Sequence, residues 1–306
     1  MDAALHIANH PRNARVSYCG PPRRCYCVDK RWPMRGVHAV IDKFYVPYAK
    51  RALRNRLPRN VRANATQGAE CGGNSALDHG VNVDRDIDLY VNLCMAARAH
   101  VSNARWRAAV LAQYKRCRDP CSERIVHFLS KRRWLPLRTQ QCIYDSELRI
   151  ATAIDILCVD LRTNAPIIVE LKTTFHDDHH AYYESAATDG AQLRHVPATP
   201  YSYVNADLLQ LYLTTLIVRR NYTAPGSSAA PRGYLVRIAS SGGAIAVYSV
   251  DEAWFDAANC DAALAPLLLT TNGTNAARKR KRTNTADATP RNPPAVKRRR
   301  RAARKV

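Results

Sequence analysis

Asp155 sits in the run Ile154-Asp155-Ile156-Leu157-Cys158-Val159-Asp160, and a Thr163-Asn164 turn later the chain reads Ile167-Ile168-Val169-Glu170-Leu171-Lys172. An unpaired carboxylate inside an apolar strand is expensive, so Asp155 asks for a reason. Side chains alternate along a strand, which puts Glu170 and Lys172 on one face and Ile167, Val169 and Leu171 on the other. If the two runs pair as a hairpin, Asp155 joins Glu170 and Lys172. Two carboxylates then hold a hard divalent cation, Mg2+ or Mn2+, through oxygen, with an ammonium beside it. That is equipment for hydrolysing a phosphodiester. The metal polarises the phosphoryl oxygen and acidifies a water, and the Lys orients that water or stabilises charge developing at phosphorus. The plain alternative is a buried Asp and a solvent-facing Glu/Lys pair on an ordinary strand.

The elements that must position these residues can be read around them. Asp119-Pro120 is an N-cap followed by the Pro favoured at the first helical position, and it opens a helix to about Arg133 with Ile125, Val126 and Leu129 as its apolar stripe. Three strands are expected next, over Trp134–Tyr144, Leu148–Asp160 and Ala165–Thr174. A helix over Asn205–Arg219 follows, then strands over Gly233–Ala239 and Ala244–Val250 joined by Ser240-Ser241-Gly242-Gly243. Upstream, Val83–Leu111 has helical periodicity through Ile87, Val91, Cys94 and Met95, and Val37–Leu57 reads as a basic amphipathic helix with Val40, Ile41, Phe44 and Tyr48 on one side. Helix, three strands, helix, strand, strand is an α/β layer arrangement with a largely antiparallel sheet.

Asp155 followed at this spacing by Glu170-Leu171-Lys172 resembles the signature of the PD-(D/E)XK nuclease superfamily, with Ile154 where the family name has Pro. The element order from Pro120 to Ala239 is similar to that family's restriction-endonuclease-like core. Within the superfamily, Glu170-Leu171-Lys172-Thr173-Thr174 resembles the strand ending of the RecB-like exonuclease branch. Gln210, in Asp207-Leu208-Leu209-Gln210-Leu211-Tyr212, matches the glutamine on the following helix that supports the site. That branch has Tyr four residues after the Gln, where this chain has Thr214. It has Gly-x-x-x-His on the upstream helix, where this chain has Gly80-Val81-Asn82-Val83-Asp84, so that Asp84 stands in for a metal-ligating His. The resemblance implies a metal-dependent nuclease in which Asp155 and Glu170 bind metal, Lys172 assists the water and Gln210 supports them. Glu123, in the first turn of the Asp119 helix, is a second candidate for the helix-borne acid; a carboxylate favoured there by the helix dipole explains it equally well.

Charge points to the partner. The 306 residues carry a formal net charge of +22, with 47 Lys and Arg against 25 Asp and Glu. Residues 1–62 hold fourteen bases and three acids, and residues 278–306 hold thirteen bases and one acid, whereas 63–277 is close to neutral. Such ends fit a polyanion, most simply DNA, and argue against an acidic binder. Arg278, Lys279, Arg280, Lys281 and Arg282, with Lys297, Arg298, Arg299, Arg300 and Arg301 beyond a Thr/Asn/Pro-rich spacer, read as nuclear targeting recognised by an import receptor. The tail's composition predicts disorder. The Arg-rich, acid-poor start leaves a mitochondrial address as the alternative to the nucleus. No stretch approaches the roughly 18 apolar residues that suggest a membrane span. The expected organisation is a basic N-terminal extension (1–62) with helical character, a Gly/Asn-rich linker (63–80), a nuclease-like α/β domain (81–258) and a disordered basic tail (276–306).

Other signals are weaker. Cys19, Cys25 and Cys27 lack the paired Cys-x2-Cys spacing typical of zinc sites. A single cysteine, Cys260, follows the core, so no iron–sulfur cluster is expected. His176, Asp177, Asp178, His179 and His180 read as a polar surface loop near the site. Two rival functions stay open: a non-catalytic nuclear nucleic-acid-binding protein on a nuclease-like scaffold, and a replication or packaging factor of a large DNA virus.

Overall fold

The computed structural model describes residues 1–19, 25–44, 76–97, 103–117, 119–174, 203–226, 229–239 and 245–250. In chain order these form α1 (Asp2–Ala8), β1 (Val16–Cys19), β2 (Cys25–Val28), β3 (Trp32–Gly36), α2 (Val37–Phe44), α3 (Ala76–Ala97), α4 (Asn103–Tyr114), α5 (Pro120–Arg132), β4 (Trp134–Asp145), β5 (Ile150–Asp160), β6 (Pro166–Thr174), α6 (Tyr203–Asn221), β7 (Arg232–Ala239) and β8 (Ala246–Val250). The architecture is mixed α/β, with one eight-stranded sheet of order β1-β2-β3-β5-β6-β7-β8 and β4 paired to β5. No helix among the described residues is long and apolar enough to cross a membrane.

Local chemistry accounts for the central elements. The Asp119 carboxylate accepts the Cys121 N–H at 2.8 Å, Pro120 occupies the first helical position, and Arg133 ends α5 in the left-handed region at φ 60°. Cys121, Ile125, Val126 and Leu129 bury one face of that helix. Phe128 meets Trp134 edge to face, with ring centroids 5.7 Å apart, and Trp134 in turn packs on Tyr234. Strands β4, β5 and β6 form an antiparallel meander; β7 then pairs parallel to β6, as a strand returning through a helical crossover must.

Alternation along β7 puts Gly233 on the face opposite Tyr234, against α6. A Cβ at Gly233 would lie 2.6 Å from Thr215 Oγ1 and 3.0 Å from Leu211. Thr215 and Leu211 are fully buried and have nowhere to move. Gly233→Ala is therefore expected to destabilise the fold by about 1–3 kcal/mol, read as a lowered denaturation midpoint with an unchanged m-value.

Three expectations are revised. The basic N-terminal region contributes to the same sheet within its described part: β1, β2 and β3 form a meander, and β3 pairs parallel to β5 through Arg35↔Ile150 and Gly36↔Ala151. These strands are four or five residues long and lie among arginines, so their pattern is too short to read against the charge. Helix α3 starts at Ala76, inside the span read as linker; Gly80 costs about 1 kcal/mol in a helix and is tolerated. The single periodic stretch over Val83–Leu111 resolves into α3 and α4, with Val83, Ile87, Tyr90 and Val91 buried from the first and Trp106 and Val110 from the second. Of the amphipathic helix expected over Val37–Leu57, α2 supplies Val37–Phe44, with Val37, Val40 and Ile41 buried. The linker before Ala76, the His176–His180 loop, the basic clusters at Arg278–Arg282 and Lys297–Arg301 and the rest of the tail lie outside the described residues.

Candidate active site

The site sits where one edge of β5 is shared by two strands. Strand β4 covers the other edge along its whole length, from Asp160 to Ile150. On the shared edge β6 pairs with Ile156–Val159, and β3 pairs only with Ile150 and Ala151. Thr152 to Asp155 are left between the two partners, and a cavity of about 330 Å³ opens there. Beyond Val169, β6 leaves the ladder, and the Asp155 carboxylate takes up the freed donor: Leu171 N–H donates to Asp155 Oδ2 at 2.9 Å. The other oxygen, Oδ1, accepts from Gln140 Nε2 at 3.3 Å. Asp160, the other acid of the strand, has local work instead, accepting the Arg162 N–H at 2.8 Å in the following turn.

Glu170, Lys172 and Gln210 form one hydrogen-bonded unit. Lys172 Nζ donates to Glu170 Oε1 at 2.7 Å and to Gln210 Oε1 at 3.2 Å, and the Gln210 amide donates to Glu170 Oε1. Gln210 lies on α6, whose Asp207 carboxylate reaches to 3.9 Å from Lys172 Nζ. Glu170 is 2% exposed and Lys172 25%, so the carboxylate is enclosed while the ammonium meets the cavity. Asp84 and Gly80 from α3 line the same cavity, as do Tyr26 from β2 and His38 from α2.

Negative charge is crowded here. Burial, joined by the charge of Asp155, pushes Glu170 up to about 8 against the pull of Lys172. Burial also raises Asp155, although Lys172 and the Leu171 N–H oppose it. Asp84 is pushed up to about 6 by burial and by Asp155. Burial lowers Lys172, but Glu170, Asp207 and Asp155 outweigh it and hold the ammonium above its ordinary value. Asp207 is raised by burial and held back by Lys172 and Arg237. Asp155 and Glu170 are thus carboxylates sharing too little positive charge, and their hard oxygens suit Mg2+ or Mn2+, while Asp84 lines the same cavity from an exposed position and does not fall with them into one compact group.

Of the residues singled out in the sequence, Asp155, Glu170, Lys172, Gln210 and Asp84 come together at this cavity. Glu123 does not. It is exposed on α5 and lines a separate pocket with Tyr114, His127 and Lys131, which leaves the helix dipole as the account of that carboxylate. Thr214 bonds back to the Gln210 carbonyl at 2.8 Å within its own helix.

Four residues escaped the sequence reading. Tyr26 and His38 reach the cavity only through the pairing of β3 with β5, which no local pattern encodes. Gln140 has φ 46°, a left-handed backbone that a non-glycine residue rarely adopts, and this irregularity aims its amide at Asp155. The polar run Arg138-Thr139-Gln140-Gln141 was its available signal, since it breaks strict alternation. Asp207 sits three residues before Gln210, hence on the same side of α6.

Gln210 makes its bonds to Glu170 and Lys172 from a buried position. Gln210→Ala is expected to lower any activity of the site, or its metal affinity, about 10–100-fold. Circular dichroism of the variant should stay unchanged, because the lost contacts hold other side chains rather than the core.

No family profile matches the chain, and no curated protein matches it.

Proposed function

We propose that this chain is a metal-dependent DNA nuclease of the PD-(D/E)XK type, with a RecB-like exonuclease as its nearest kind, acting in DNA replication, recombination or repair. The observation that carries the reading is the convergence of Asp155, Glu170 and Lys172 on one cavity, with Gln210 joining the last two. Helix α5, the meander β4–β6, helix α6 and the parallel strand β7 follow one another as in a restriction-endonuclease-like core.

Asp155 and Glu170 would hold Mg2+ or Mn2+, and Asp84, which lines the same cavity, would have to move to join them as a further oxygen ligand. The cation supplies Lewis-acid polarisation of the phosphoryl oxygen and a water acidic enough to attack near neutral pH. The chain's own groups do the positioning. Lys172 keeps its proton, is fixed by Glu170 and Gln210, and presents positive charge where negative charge grows on phosphorus oxygens. Gln140 and the Leu171 N–H fix both oxygens of Asp155, so the ligand does not have to reorganise. The Arg- and Lys-rich ends bind the phosphate backbone by counterion release, so DNA affinity should fall steeply with salt. The clusters Arg278–Arg282 and Lys297–Arg301 would carry the chain into the nucleus.

The intact set of Asp, Glu and Lys favours cleavage over a merely scaffolding role, since a non-catalytic binder gains nothing from burying them. Incubating the full chain with end-labelled single- and double-stranded DNA, with Mg2+ or with chelator, tests this. Mg2+-dependent shortening supports the reading, and intact DNA bound equally well in both conditions would favour the non-catalytic binder.

A further inference from the structure

Cys19, Cys25 and Cys27 play no part in the cavity. Their sequence spacing is unlike that of common zinc motifs, but pairing supplies what spacing does not. In the β1–β2 hairpin Cys19 lies directly across from Cys25, and Ser17 across from Cys27. Cys25 and Cys27 are two apart on one strand, so all three cysteines share a face. Their sulfurs lie within 4.8 Å of one another, with Cys19 Sγ to Cys27 Sγ at 3.1 Å and Cys25 Sγ to Cys27 Sγ at 3.9 Å.

We propose that these three thiolates bind a single Zn2+ ion that staples the β1–β2 hairpin. On a tetrahedral zinc with Zn–S bonds of about 2.3 Å, sulfurs stand about 3.8 Å apart. The Cys25–Cys27 separation already has that value, and the Cys19 sulfur needs only a small side-chain adjustment. Cysteines that bind different irons of an iron–sulfur cluster must be spread wider, so three sulfurs this close together fit one ion. A disulfide would use two sulfurs and leave the third idle. Zinc would draw the protons off the three thiols as it bound. Among the described residues no further His, Cys, Asp or Glu joins the group.

The staple has a structural consequence. Tyr26 lies between Cys25 and Cys27 and faces the other side of the hairpin, where it packs on Tyr18 and lines the cavity of Asp155 and Glu170. Zinc on one face therefore fixes a wall of the cavity on the other.

The full chain, purified under reducing conditions without a metal-affinity tag, should contain about one zinc by elemental analysis, and Cys25→Ser/Cys27→Ser should lose it. Asp155→Ala should retain the zinc, which separates this site from the carboxylate cavity and makes the test independent of nuclease activity. Cobalt added to zinc-stripped wild-type protein should give the intense thiolate-to-cobalt absorption of a tetrahedral sulfur site, and this readout needs no cysteine variant to fold. Zinc content unchanged in Cys25→Ser/Cys27→Ser, cobalt without thiolate absorption, an iron–sulfur spectrum, or a Cys19–Cys27 disulfide after rapid thiol trapping would each overturn the proposal.

Discussion

Asp155→Ala and Lys172→Ala are each expected to lower Mg2+-dependent DNA cleavage by about 10³-fold or more, measured in single turnover with enzyme in excess. The two losses have different origins. Without Asp155 the cavity loses a proposed metal ligand, and the Leu171 N–H and the Gln140 amide lose their acceptor. Raising Mg2+ should recover part of that loss, because ligand removal weakens affinity first. Without Lys172 the carboxylates keep their oxygens and gain negative charge, so metal binding should persist while the chemical step fails. A calorimetric Mg2+ titration separates the cases: weakened binding for Asp155→Ala, retained binding for Lys172→Ala. Asp155→Ala thins the crowded carboxylates, whereas Lys172→Ala leaves Glu170 buried without its ammonium and should cost stability, so circular dichroism of each variant accompanies the assay.

The second large effect is on stability and runs against intuition, because Glu170→Gln is expected to stabilise the metal-free protein while abolishing cleavage. Glu170 is raised to about 8 in the folded chain, above its ordinary value of 4.5. Between those two pH values the folded state binds the proton more tightly than the unfolded state, so metal-free stability falls as pH climbs through that window. Asp84, raised to about 6 from 3.8, pulls the same way at lower pH. Lys172 is raised as well; its contribution is complete below its ordinary value of 10.5 and fades only above that, so it does not shape this window. Glu170→Gln keeps an oxygen to accept from Lys172 and Gln210 and removes the titration. Its metal-free unfolding free energy above pH 8 should exceed the wild type's by about 4–5 kcal/mol, with a flattened pH dependence. Mg2+ should raise the melting temperature of the wild type and barely move that of the variant. A wild-type stability that rises from pH 5 to pH 8 without metal would contradict the charge crowding described above.

How much of this was legible depended on distance along the chain. Asp155, Glu170 and Lys172 could be grouped because alternation on two strands joined by a short turn fixes their common face. Gln210 and Asp84 needed the family resemblance as well, since each sits on a helix whose docking is a tertiary matter. The Asp119-Pro120 cap fixed the start of α5 because its signal is wholly local. What stayed hidden was long-range or irregular. Strands β1 to β3 are too short to show a period, and their parallel join to β5 spans more than a hundred residues of sequence. Tyr26 and His38 were invisible for that reason. Glu123 shows the opposite failure: a carboxylate in the correct order along the chain, on a helix whose outward face turns it away. The closeness of Cys19, Cys25 and Cys27 was hidden from linear spacing, because strand pairing brings together residues that no metal motif would group.

The claim that Asp155, Glu170 and Lys172 make a phosphodiester-cleaving metal site is tested most directly by a Mg2+ titration of DNA cleavage, with wild type and Asp155→Ala run side by side on one labelled substrate. Expected are no cleavage in chelator, a saturable rise with Mg2+ for the wild type, and a rate at least about 10³-fold lower for the variant at the same Mg2+ concentration. Cleavage that persists in chelator, or that proceeds equally fast in Asp155→Ala, would contradict it.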